Sequence, residues 1–278
     1  MNLYQTITQQ MIEKLKKGCV PWQSPYLKQM SIISKKPYRG INRLILSMKE
    51  YKSPYWITFP QAKKLNARIR KGEKSTKIIF YQLVEEIRDE KEVLVPELRF
   101  YSIFNLEQTE GIEIQTAAPS VMNPFDFLCD YPEIDHGNYT CGAYSPTEDK
   151  IFMPFKERFV SNIRYSKTLF HEMTHSTGHI SRLNRFTEKY EPNRHEYSFE
   201  ELVAEMGASF LCAEFGILEE TIDNSAAYIQ SWLKVLKNNP EYIFRAASKA
   251  EEAVDHLLGD TFSQKHARGF QNPMKVEV

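Results

Sequence analysis

Cysteine is scarce in this chain: Cys19, Cys129, Cys141 and Cys212 are scattered, and none belongs to a Cys-x-x-Cys pair. That spacing excludes a disulfide framework and a thiolate zinc cluster, and it is the usage of reduced cytoplasmic thiols. Long apolar runs are missing too. No stretch approaches the ~20 residues needed to span a bilayer, so no membrane partner is expected. The segment from Met1 to Lys17 has polar residues where the apolar core of a signal peptide would stand, so export is not expected and a cytoplasmic localisation is. Internal repeats and low-complexity segments are also lacking. With 42% hydrophobic and 26% charged residues, the 278-residue chain is composed to fold, and it is long enough for two domains.

Net charge is the remaining absence, and it conceals an asymmetry. The formal charge is zero, yet residues 1 to 80 hold 17 Lys and Arg against 3 Asp and Glu. Over residues 1 to 115 the counts are 20 against 12, and the remainder carries 16 against 24. Halves of opposite sign predict two units with different partners, and the basic one would attract a polyanion, above all nucleic acid.

The chain's chemistry centres on Leu169-Phe170-His171-Glu172-Met173-Thr174-His175. On a helix, histidines four residues apart share one face, where neutral imidazoles can bind one zinc ion. Three protein ligands would leave a fourth position for water, the layout of a catalytic zinc site. Glu172 beside the first ligand is then the base that takes the proton of that water. Ile163, Phe170 and Met173 give the helix an apolar side, and Gly178 can end it.

The third ligand must come from elsewhere. A metzincin would need histidine ten residues after His171, and Ser181 stands there. The better source is Ser198-Phe199-Glu200-Glu201-Leu202-Val203-Ala204-Glu205, read as a second helix on which Glu201 and Glu205 share a face. Glu201 is the expected third ligand and Glu205 the alternative, or the carboxylate that orients a ligand histidine. A competing reading makes Ser198-x-x-Glu201 a capping box. His179, His195 and Tyr197 are candidates for stabilising an oxyanion.

Residues 3 to 17 read as a helix, and Lys35 to Asn42 as a basic turn leading into another through Met48. Thr58-Phe59-Pro60-Gln61 carries a capping-box pattern and opens a helix ending near Lys71 to Lys74. Two β-rich runs follow, Lys77 to Leu83 and Leu98 to Asn105, joined by a charged excursion from Glu85 to Glu97. Residues 1–115 are thus expected to form a small basic α+β domain, 116–124 a linker, and 125–278 a mostly helical domain with a short sheet. Within the last, Asn138 to Tyr144 and Lys150 to Met153 read as strands, with Ile151 to Met153 as a cleft edge. Asn224 to Lys237 and Pro240 to Leu258 read as scaffold helices, and the stretch from Phe262 as a frayed end.

Basic residues interleaved with aromatics suit a single-stranded DNA partner, because cations neutralise phosphates and rings stack on unpaired bases. The residues expected to make these contacts are Lys35, Lys36, Tyr38, Arg39, Asn42, Tyr55, Trp56, Arg70, Lys71 and Lys74. Trp56 and Phe80, taken singly, are the kind of large aromatic more often found in a core.

Several blocks carry a family resemblance. Lys36-Pro37-Tyr38-Arg39-Gly40-Ile41-Asn42, Tyr55-Trp56-Ile57-Thr58-Phe59, Arg70-Lys71-Gly72-Glu73-Lys74-Ser75 and Phe104-Asn105-Leu106-Glu107-Gln108 resemble the N-terminal domain of ArdC-type antirestriction proteins, a domain that also precedes some plasmid primases. His171 to His179, Arg182-Leu183 and Glu201 to Glu205 resemble their zincin-like metallopeptidase domain. The aromatic usual after the second histidine is replaced by Ser176. The resemblance implies single-stranded DNA binding by the first domain, zinc binding by the second, and a cytoplasmic role on mobile elements in shielding incoming DNA; peptide hydrolysis is the chemistry expected of the zinc site with Glu172 as base. The peptide or protein substrate is left open. The alternative is a DNA-coating module whose zinc site is structural or vestigial, without proteolysis; a protease whose basic half docks an acidic protein is a third reading.

Overall fold

The computed structural model describes residues 3–23, 28–49, 51–88, 91–112, 123–186, 194–217 and 226–269. They form two compact units, the described residues of 1–27 with those of 117–272, and separately those of 28–116. Residues 1–27 of the expected basic domain thus cluster with the C-terminal part of the chain. The cause lies in α1 (Leu3–Lys16), whose buried face of Ile7, Met11, Ile12 and Leu15 finds its cover in the C-terminal part of the chain. There Thr8 Oγ1 donates to the Pro240 carbonyl at 2.6 Å, Tyr4 meets Phe244 edge to face, and Trp22 meets Trp232. The expected linker falls largely outside the described residues.

The basic unit carries β1 (Met30–Ser31), α2 (Ile41–Ser47), β2 (Tyr55–Thr58), α3 (Phe59–Lys64), β3 (Arg68–Ile69), β4 (Thr76–Arg88), β5 (Lys91–Asn105) and β6 (Thr109–Glu110). Its main sheet runs β1-β2-β5-β4, and β3 pairs with β6. The expected capping box is present, with Gln61 N donating to Thr58 Oγ1 and Thr58 N to Gln61 Oε1. Two expectations are corrected. The helix opened by that box ends at Lys64, because Asn66 turns the backbone to φ 54° and feeds β3. The two β-rich runs extend through the charged excursion: β4 and β5 pair continuously from Thr76↔Ile103 to Arg88↔Lys91, forming one long hairpin.

The second unit adds β7 (Glu133–Gly137), β8 (Ala143–Ser145), β9 (Lys150–Pro154), α4 (Asn162–Ser176), α5 (Arg194–Glu214), α6 (Ala226–Asn238) and α7 (Tyr242–Gly269). The sheet order is β7-β9-β8, so Ile151 to Met153 lie on the central strand and β8 is the edge nearer the metal helix. Ile151 and Met153 are buried, as a centre strand requires, which corrects the assignment of the cleft edge. Ser161 caps α4 by accepting from Arg164 N at 3.2 Å. α7, whose Ala246, Ala247, Ala250 and Ala253 are buried, packs against α5. Gly259, at φ 57°, kinks α7, and the chain stays helical to Gly269 where a frayed end was expected.

Candidate metal centre

Two helices build the site. α4 carries His171 and His175 one turn apart, and α5 brings Glu201 to the same face. The two Nε2 atoms lie 3.0 Å apart. Glu201 places Oε2 at 3.6 Å from His171 Nε2 and Oε1 at 3.5 Å from His175 Nε2. Ligands ~2.0–2.2 Å from a tetrahedral ion stand about 3.3–3.6 Å from one another; the two Glu201 distances match that spacing, and the imidazoles need only part slightly from 3.0 Å for the triangle to take one small divalent cation.

Glu205 approaches the other nitrogen, Nδ1 of His171, at 3.7 Å. Position separates the two glutamates: Glu201 shares the Nε2 side with both imidazoles, and Glu205 stands behind His171 where it can fix the ring. The capping-box reading of Glu201 disappears because α5 begins at Arg194 and Ser198 lies inside it.

His175 has an equivalent support that the sequence reading did not identify. Its Nδ1 lies 3.5 Å from Glu200 Oε1, and Glu200 is buried. Arg185 holds that carboxylate through Nε at 3.1 Å and Nη2 at 2.7 Å, while also donating to Thr177 Oγ1 and the Thr174 carbonyl. Burial alone would lower the His175 pKa, but Glu200 and Glu201 outweigh it and push it up to about 10. Burial acts to raise the Glu201 carboxyl, and the two imidazoles overcome that and hold it far below the usual carboxylate range. A cation entering this triangle must displace the proton on His175.

Glu172 is buried on α4, and its Cγ lies 3.3 Å from where a Cβ on Gly142 would stand, just before β8. The helix end is tied to the sheet by Arg182. Its Nε donates to the Ser176 carbonyl at 2.7 Å, and its Nη groups bind Asp149, which also accepts from Tyr144 Oη at 2.7 Å. Ser176 is buried, with Oγ donating to the Met173 carbonyl, so a small polar residue fills this position without an aromatic ring. His179 engages Ser181 Oγ through Nδ1 at 2.7 Å. The side chains of His195 and Tyr197 lie outside the described residues.

In the basic unit the expected contact residues divide. Trp56 is fully buried, its Nε1 donating to Gln29 Oε1, so it offers no face to a base. Asn42 is a structural clamp: Nδ2 donates to the Ile79 carbonyl at 2.7 Å and Oδ1 accepts from Ile79 N at 2.8 Å. Tyr38 and Tyr55 pack against apolar clusters, and burial raises both phenols. Arg70 is turned toward Glu73 and the Glu107 carbonyl. Lys35, Lys36, Arg39, Lys71 and Lys74 are exposed.

Comparison with known proteins agrees with both halves. Residues 1–118 match the N-terminal domain of the anti-restriction factor ArdC, and residues 131–249 match a zincin-like metallopeptidase family. Crystal structures of the antirestriction ArdC protein from the R388 plasmid are similar over 98% of this chain and 100% of theirs: the metal-free form at TM-score 0.79 and 35% identity, the Mn(II)-bound form at 0.77 and 36%. A DNA primase TraC of Escherichia coli is 34% identical over 99% of this chain, which spans only 28% of that protein's length. An uncharacterized protein of Sinorhizobium fredii, y4eC, is 27% identical over 92% of this chain and 91% of its own length. The Mn(II)-bound relative and the donor triangle together point to a divalent metal.

Proposed function

The chain belongs to the ArdC-type antirestriction family, and on that premise we propose that it binds single-stranded DNA of mobile elements, protects it on entry, and carries a zinc-dependent peptidase site. The observation that supports the enzymatic half is the convergence of His171, His175 and Glu201, backed by Glu205 and Glu200 on the outer nitrogens. Two imidazoles and one carboxylate are a ligand set suited to zinc, with a position left open. A bound ion of this kind polarises a carbonyl and acidifies water.

The remaining steps belong to the chain. Glu172 accepts the proton of the attacking water and delivers it to the leaving amine. β8 pairs only with β9 among the described residues and offers its other edge to an extended peptide. Glu205 and the Glu200–Arg185 pair hold the two rings in their ligand orientation.

The test is Glu172→Gln in the full chain. Metal affinity should stay near wild type, while hydrolysis of a peptide library, read as new N-termini by mass spectrometry, should vanish. No cleavage by metal-loaded wild-type protein would remove the peptidase half. Protection of incoming DNA that survives the substitution would favour strand coating with a structural metal site. Failure of the protein to bind single strands would return the basic unit to an acidic protein partner.

A further inference from the structure

The β4–β5 hairpin exposes aromatic rings that no structural need accounts for. Pairing of β2 with β5 stops at Thr58↔Ile103, so beyond that point the hairpin leaves the main sheet as a two-stranded projection. Its base is covered: Ile78 and Ile103 pack with Leu46 and Trp56. Just above it, Phe80, Phe100 and Tyr101 are 44%, 43% and 47% exposed, a level that leaves ring faces open to water. Phe80 and Tyr101 lie diagonally on one side of the hairpin, with centroids 5.1 Å apart at 84°, and Phe100 faces the other side opposite Ile79. Burial of rings is the usual outcome in a folded chain, so a cluster left outside marks a contact surface.

Charge identifies the occupant. Lys77, opposite Ser102, shares the Phe100 side of the hairpin and is exposed; Lys71 and Lys74 lie exposed in the turn leading into β4. From the other direction, the Asn42 clamp on Ile79 fastens the end of the Lys35–Asn42 segment, with its exposed Lys35, Lys36 and Arg39, to the strand that carries Phe80. Rings on both sides of a ribbon flanked by cations match a polyanion with unpaired bases. Duplex DNA would offer phosphates and groove edges but no free base faces, its bases being already stacked on each other.

We propose that Phe80, Tyr101 and Phe100 form the base-stacking platform for a single-stranded nucleic acid, with Lys77, Lys74 and the Lys35–Arg39 segment neutralising its backbone. The inference deepens the proposed DNA-binding function and rests on it. Tyr38, Tyr55 and Trp56, the aromatics expected in that role from the sequence, give way to rings on the hairpin.

The experiment is fluorescence anisotropy of a labelled oligothymidylate, with a salt titration, using the full chain. Phe80→Leu with Tyr101→Leu keeps apolar bulk on the strands and removes the stacking faces; Phe100→Leu is a second, separate variant, and thermal melts check that each folds. Each variant should weaken binding about ten- to a hundred-fold with an unchanged salt slope, whereas Lys77→Ala should flatten the slope. Wild-type binding that both leucine variants retain would overturn the platform while leaving DNA binding intact. Absence of binding by the wild-type chain would overturn both, and the exposed rings would then belong to a protein contact.

Discussion

Arg185 grips Glu200 with two hydrogen bonds, at 3.1 and 2.7 Å, in a setting where both side chains are almost wholly out of water. Glu200 in turn faces Nδ1 of His175, so a residue ten positions beyond His175 fixes its ring. Arg185→Met should leave Glu200 buried without its cation. The expected costs are about 3–5 kcal/mol of stability and roughly ten- to a hundred-fold in metal affinity, read by thermal melting and by titration calorimetry with Zn(II) or Mn(II). Arg185→Lys should restore only part of both, because an ammonium cannot reproduce the paired bonds of a guanidinium.

The two glutamates of α5 can be ranked by the same titration. Glu201→Gln removes the charged oxygen nearest both Nε2 atoms, and metal affinity should collapse. Glu205→Gln should cost about ten- to a hundred-fold, because His171 keeps its ligand nitrogen and loses only a support at Nδ1. The reverse order would make Glu205 the ligand.

The metal helix was legible because its signal is local: a fixed spacing of rare residue types, an apolar side and a terminal glycine lie within one segment. Glu201 could be inferred through the same logic on α5. Arg185 could not, since nothing local distinguishes it from any other arginine until the chain folds back to Glu200. The full length of the hairpin is not legible because charge in Glu85 to Glu97 interrupts the apolar pattern of its two β-rich runs, whereas a two-stranded ribbon can carry polar residues on both sides. Trp56 and Asn42 look like contact residues in a basic segment. Only tertiary packing, against Gln29 for one and Ile79 for the other, assigns them to the scaffold.

Asp149 gives a pH dependence. Its hydrogen bond from Arg182 lowers its pKa, outweighing a smaller opposing effect of burial, with Tyr144 also lowering it. A carboxyl with a folded-state pKa below its unfolded value stabilises the fold above the unfolded value, and that contribution fades as pH falls through the folded one. Wild-type stability should therefore decline as acid is added below the ordinary carboxylate range. Asp149→Asn should be less stable near neutrality and should show a shallower acid slope, in denaturant titrations run from pH 7 to 3. Partial exposure of Asp149 limits the effect to a modest one.

Gly207 sets the distance between α4 and α5, the helices that carry His171, His175 and Glu201. A Cβ at this position would stand 2.5 Å from Thr174 Cγ2 and 2.6 Å from its Oγ1, and Thr174 is buried with Oγ1 donating to the Phe170 carbonyl at 2.7 Å. Neither side can yield without moving a helix, so Gly207→Ala should destabilise the unit by about 1–3 kcal/mol. It should also weaken metal binding, because any separation of α4 from α5 carries Glu201 away from the two imidazoles. Adding Thr174→Ala removes both clashing atoms and should recover most of the metal affinity in the double variant. Calorimetry on the single and double variants checks this; an affinity unchanged by Gly207→Ala would mean that the helix spacing at this crossing does not govern the site.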